Sequence, residues 1–213
     1  MDYTSLEYIL FCILFYVIGS IPTSYLFLKW KTGKNITKEG SGNAGALNYY
    51  EVSGSKLTGA MVLVIDLLKG FIPAFLFFRI AGFSLQYMFV PLSLLVLGHN
   101  FSVWLKFRGG RGLATAAGIT LAVSPVLLIG WCVLFMASFG IYRKVHFGNI
   151  VATVLLPVSA MFLKPFLVKI DNLPLFNFDL YFSFTAVICL IILLKHVNPL
   201  IDLIQGLKKR ASG

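Results

Sequence analysis

Long apolar runs alternate with short polar segments along the chain, and the length of each run sets the first expectation. Residues 8–28 form a largely apolar stretch about long enough to span a hydrocarbon core at ~1.5 Å per residue. Similar patterns predict helices over 58–80, 87–104, 149–163 and 180–194. The run 112–142 is too long for one crossing, and Ser124-Pro125 divides it. Ser124-Pro125 reads as an outer turn between a short helix, 113–123, and a longer one, 126–142. The pattern therefore predicts an all-α fold, a polytopic membrane helix bundle of about seven transmembrane helices, as one domain over 1–213. The first run ends in Gly19-Ser20-Ile21-Pro22-Thr23-Ser24, where small and kinking residues allow close helix approach or an irregular end lining a polar cavity.

Composition supports the membrane reading: 58% of residues are hydrophobic, 12% are charged and the mean hydropathy is +0.87. A soluble domain carries about 25% charged residues. The net charge of +10 does not point to nucleic acid, because most cations sit in short loops beside apolar runs, where they set topology. Lys29, Lys31, Lys34, Lys38 and Lys56 place the 29–57 loop in the cytoplasm and the N-terminus outside. Two crossings within 112–142 keep Arg143 and Lys144 inside as well, and the basic tail Lys208-Lys209-Arg210 makes the C-terminus cytoplasmic. Only Arg79, Lys164 and Lys169 then fall outside, with an outer loop holding Asp171 and Asp179. Residues 1–7 are acidic and lack the basic n-region of a signal peptide, so the first run is read as a true helix. Cys12, Cys132 and Cys189 are scattered through apolar runs and suggest neither disulfides nor a metal site.

The polar clusters then collect on the cytoplasmic face. Residues 98–115, GHNFSVWLKFRGGRGLAT, bring Lys106, Arg108 and Arg111 together with Gly109, Gly110 and Gly112 ahead of an apolar helix. Glycine-rich backbone can turn N–H groups onto an anion, arginine forks match phosphate oxygens, and a helix N-terminus adds partial positive charge. The alternative for this loop alone is a tight membrane turn whose arginines set topology. A second candidate anion nest runs EGSGNAGALN over 39–48, with Gly40, Gly42 and Gly45 interleaved with Ser41 and Asn43. It is no dinucleotide fingerprint, because no strand precedes it. Asp66 and Lys69, at i and i+3 within a span, form a structural ion pair or contact a substrate directly. His99 and His196 each end a span beside an inner loop; His146 reads as an interfacial histidine. No histidine is followed by an aspartate at the spacing of a His-Asp acyltransferase, no carboxylate cluster suits a metal, and no GxSxG elbow is present. A catalyst built from these residues works by positioning and charge stabilisation.

The segments GSGNAGALN (40–48), DLLKG (66–70) and GH…FRGGRGLAT (98–115), in this order and spacing, resemble the bacterial acyl-phosphate:glycerol-3-phosphate acyltransferases. The resemblance implies transfer of a fatty acyl group from acyl phosphate to the 1-hydroxyl of glycerol 3-phosphate, giving lysophosphatidic acid and phosphate. It implies no cofactor or metal, acyl phosphate and glycerol 3-phosphate as substrates with membrane lipid around them, and no nucleic acid. It places the chain in the bacterial inner membrane with its active site facing the cytoplasm. The expected catalytic residues are Ser41, Asn43, His99, Arg111 and His196. Phosphate binding is expected from Gly40, Gly42, Gly45, Asn48, Lys69, Arg108, Gly109, Gly110, Gly112 and Thr115. The family's threonine and arginine in the first loop are here Leu47 and Glu51, and its two loop lysines are Arg108 and Arg111. Those departures keep open a divergent paralogue that binds or transports an anionic lipid, and an enzyme using another phosphorylated acceptor.

Overall fold

The computed structural model describes residues 5–170 and 178–211, all of whose regular elements are helical. Two compact units divide at Val123 and Ser124. In the first, α1 (Ser5–Ser20) and α2 (Thr23–Thr32) are two pieces of one apolar run, separated at Ile21-Pro22. Next come α3 (Ala46–Ser53), α4 (Lys56–Ala74) with a π-helical extension (Phe75–Ile80), α5 (Leu85–Asn100) and α6 (Leu113–Val123). The second unit holds α7 (Pro125–Tyr142), α8 (Val145–Ile170), α9 (Phe178–Leu194) and α10 (Val197–Ala211). Five of these stretches are long and apolar enough to cross a membrane, a sixth if the bent pair α9–α10 counts as one span, and α6 is a shorter apolar helix.

Local chemistry sets the boundaries. Ser55 caps α4 through the Thr58 N–H and Ser84 caps α5 through the Tyr87 N–H. Ser124 caps α7, which begins at Pro125, one residue before the predicted start. Three features differ from the sequence expectation. The polar 29–57 segment contains α3, an eight-residue helix closed by a left-handed Gly54. Helix α8 runs on through Pro157 and Pro165 to Ile170, beyond the predicted end at 163. The segment after His196, expected as a tail, is α10. Asp171 of the expected outer loop lies outside the described residues, and Asp179 stands in the first turn of α9.

Small residues make the helix contacts of the first unit. A Cβ on Gly19 would collide with the Leu95 backbone and one on Gly98 with the Tyr16 carbonyl, so α1 and α5 lie backbone to backbone. Gly70 meets the Thr115 backbone, and Gly118 meets the Leu67 carbonyl, in the same way between α4 and α6. Helix α6 has only 11 residues, about 16 Å of rise against a hydrocarbon core of ~30 Å. Its last carbonyls are covered from the side: Arg79 Nε donates to Ala122 O at 2.8 Å and its Nη2 to Val123 O at 3.2 Å. Arg79→Ala should therefore destabilise the protein by about 1–3 kcal/mol, discounted for the exposure of the arginine. A thermal melt in detergent checks this, and an unchanged midpoint would mean that the α6 carbonyls need no arginine. In the second unit, α7 and α8 join through Trp131 Nε1, which donates to Thr153 Oγ1 at 3.1 Å.

Candidate active site

The site begins with Pro22. Proline has no N–H, so the helix hydrogen-bond ladder fails there and the carbonyls before it need other donors. Two polar side chains supply them, one from the loop after α5 and one from α4. Ser102 Oγ donates to Ser20 O at 2.5 Å, and Lys69 Nζ donates to Ile21 O at 3.0 Å. Lys69 also pairs with Asp66 Oδ1 at 2.9 Å, one turn back on α4. The same Oδ1 accepts from Thr23 Oγ1 at 2.9 Å. His99 Nδ1 lies 3.8 Å from it, beyond hydrogen-bond range. Asp66 is 2% exposed, so its charge is balanced by Lys69 and not by water. One carboxylate oxygen thus gathers side chains from α2, α4 and α5.

This network borders a narrow, shallow hollow, with no room for a water-sized sphere, lined by Ile21, Pro22, Thr23, Ala44, Lys69, His99, Ser102, Gly109 and Gly110. The two glycine-rich loops meet at its wall, where the Ala44 N–H donates to Gly109 O at 3.3 Å. The second loop is pinned to the end of α5. Gly109 N–H donates to Asn100 O at 3.1 Å and Gly110 N–H to His99 O at 2.9 Å. These two N–H groups are therefore engaged within the protein. Gly110 has another reason to be glycine: a Cβ would collide with His99 Nε2 and the Ala44 carbonyl. Glycine here lets the imidazole sit flat against the loop. Gly112, at φ 80°, faces the Asn100 amide oxygen in the same tight turn.

The first loop is organised from inside by Asn48. Its Oδ1 accepts the Ser41 N–H at 2.9 Å, while its Nδ2 donates to Asn43 O at 2.9 Å and Glu39 O at 3.1 Å. Asn48 is 2% exposed. Its side chain is hydrogen-bonded to the loop's own backbone. Gly40 sits over that amide at φ 55°, where a Cβ would strike Asn48 Oδ1. The Gly42 N–H closes a turn on Glu39 O at 2.9 Å, and Gly45 leads into α3 with the Asn43 side chain across it. Ser41 is exposed and Asn43 half-buried, so both rise from this scaffold toward solvent.

Of the remaining expected residues, Arg108 is exposed and Arg111 half-buried, on either side of Gly109-Gly110. Thr115 does not line the hollow; it is fully buried where α6 meets Gly70 of α4, with no hydrogen bond to its hydroxyl. His196 belongs to the second unit, buried at the α9–α10 break, its Nδ1 2.9 Å from Ile192 O. Ile21, Pro22 and Thr23 lie in the stretch expected either to allow close helix approach or to form an irregular end lining a polar cavity, and they line the hollow; Ser102 was not expected there. Among the described residues no group of three or more His, Cys, Asp or Glu side chains could hold a metal. The arrangement offers a buried ammonium and an imidazole side by side, with Arg108 and Arg111 next to the lining glycines in sequence, which suits an anionic ligand.

Comparison with known proteins agrees. A family model described as glycerol-3-phosphate acyltransferase matches residues 9–206. The glycerol-3-phosphate acyltransferase of Wolbachia sp. subsp. Brugia malayi is 35% identical over 97% of this chain and 99% of its own. That of Geobacter sulfurreducens is 33% identical over 92% and 93%. Two crystal structures of PlsY (YgiH), an integral membrane glycerol 3-phosphate acyltransferase, superpose with TM-scores of 0.76 and 0.74. They are its glycerol 3-phosphate and lysophosphatidic acid forms, each 30% identical to this chain and covering 94% of it and 93% of PlsY.

Proposed function

The chain belongs to the glycerol-3-phosphate acyltransferase family, an integral-membrane enzyme whose reaction is acyl transfer to glycerol 3-phosphate, and we propose that its acyl donor is an acyl phosphate. The observation that carries the proposal is the meeting of Lys69, His99 and Gly109-Gly110 beside the break at Pro22. An acyl phosphate is already activated, so no covalent enzyme intermediate is required. The 1-hydroxyl oxygen attacks the acyl carbon, the bond to the phosphate oxygen breaks, and the hydroxyl proton leaves with the departing phosphate. Lysophosphatidic acid and inorganic phosphate are the products. The protein's part is to hold two anions in line and to stabilise charge on the carbonyl and leaving oxygens.

In this reading Arg108 and Arg111 hold phosphate, Ser41 and Asn43 orient the reacting groups, and His99 donates a hydrogen bond into the hollow. His196 is carried as a further assignment, tested by its own substitution. Counting α6 and α9 as crossings gives seven spans, with the N-terminus outside and both glycine-rich loops facing the cytoplasm of a bacterial inner membrane. The distribution of lysines and arginines supports that orientation.

Purified protein in lipid with a long-chain acyl phosphate should release inorganic phosphate only when glycerol 3-phosphate is present, and form lysophosphatidic acid. Arg108→Ala and Ser41→Ala should each abolish that release at unchanged expression. Release without an acceptor, or none from a folded sample, would reject the acyl-phosphate reading. Full activity in both variants would reject the site assignment.

A further inference from the structure

Helix α9 ends at Leu194, and the chain turns by 60° across Lys195-His196 before α10 begins at Val197. The exposed residues of α10 separate into two stripes. Val197, Leu200, Ile201 and Ile204 are aliphatic, 42–49% exposed, and follow the i, i+3, i+4, i+7 spacing of one helix face. Asn198, Asp202 and Gln205 are exposed on a neighbouring face and are all polar. A third side, with buried Pro199 and half-buried Leu203, is turned inward, and α8 is the helix that α10 packs against. A span would be apolar on every side not touching protein, and a helix in water would not leave four aliphatics bare. Only a boundary between hydrocarbon and water satisfies both stripes at once. The chain in this last helix also carries Lys208, Lys209 and Arg210, with Asp202 as its one acidic residue.

We propose that α10 is an interfacial helix that lies in one leaflet of the membrane and binds anionic phospholipid headgroups through its basic C-terminal turn. The aliphatic stripe enters the acyl boundary, the Asn198–Asp202–Gln205 stripe faces water, and the cations meet lipid phosphates. The bend after α9 delivers the helix there, because α9 leaves the membrane where α10 begins.

The test uses the full chain in vesicles, with Cys12 and Cys132 replaced by alanine and an environment-sensitive fluorophore on Ile201→Cys or on Asp202→Cys. A lipid-borne nitroxide should quench position 201 at least about threefold more strongly than position 202, and aqueous iodide should show the reverse order. Replacing about a third of the phosphatidylcholine by phosphatidylglycerol should deepen quenching at 201, and high salt should reverse that gain. Combined Lys208→Gln, Lys209→Gln and Arg210→Gln should remove the dependence on phosphatidylglycerol while leaving the 201/202 contrast. Equal quenching at the two positions overturns the interfacial placement. A 201 signal indifferent to phosphatidylglycerol and salt overturns the anionic-lipid assignment. Shielding at 201 that is present in native membranes and lost in reconstituted vesicles assigns the face to a protein partner and overturns the proposal. None of these readouts depends on acyl transfer.

Discussion

Asp66→Asn should lower acyl transfer at least about a hundredfold and destabilise the protein together. Asp66 Oδ1 is the shared acceptor for Lys69 and Thr23 and lies 3.8 Å from His99 Nδ1. Neutralising it leaves a buried ammonium without its counter-charge, which costs about 3–5 kcal/mol in comparable pairs. Stability and function are separated by a second variant, Asp66→Asn combined with Lys69→Met. With both charges gone the buried pair is replaced by neutral groups of similar size, and the thermal midpoint should return most of the way. Activity should not return, because Lys69 lines the hollow as well as balancing Asp66. Wild-type turnover in either variant would reduce the pair to a structural brace.

The second large effect is expected at Gly110. A methyl group there would occupy the space of His99 Nε2 and the Ala44 carbonyl. Neither the ring nor the backbone can yield without moving the loop junction at Ala44 and Gly109. Gly110→Ala should therefore displace the imidazole and reduce turnover about a hundredfold, the usual consequence of an ångström of misplacement. Gly140→Ala is the matched control: it lies inside α7 with nothing within 4 Å of the added atom. It should keep full activity and gain up to about 1 kcal/mol of stability from helix propensity. Acyl-transfer rates and melts on the two variants, side by side, decide whether the close contact at Gly110 matters.

The long helices were legible because each buries or exposes a run of apolar residues that only a membrane span explains. Ser124-Pro125 marked its boundary correctly for the same reason that proline marks any helix start. Helix α3 escaped because eight residues within a polar, glycine-flanked segment carry no periodic signal of their own. Helix α10 escaped because its apolar and polar residues balance, which reads as a tail unless the faces are separated. The site was legible in its charged and glycine residues but not in their division of labour. An asparagine in a glycine-rich loop looks the same whether it faces a ligand or, like Asn48, the loop's own backbone. Of the two readings of Asp66 and Lys69, the ion pair is present, and Lys69 also lines the hollow. The span end holding Thr23 was legible as a possible cavity wall, but not its bond to Asp66, a partner 43 residues away.

The inward-facing amide of Asn48 has a thermodynamic consequence for every catalytic cycle. Because one side chain holds Glu39, Ser41 and Asn43 in place, the loop reaches its working shape when the chain folds, not when a ligand arrives. Little conformational freedom is then left to lose on association, so ligand contacts appear in affinity and orientation with small deduction for ordering. The entropy of shaping this part of the site is lost once, at folding, and is not lost again in each turnover.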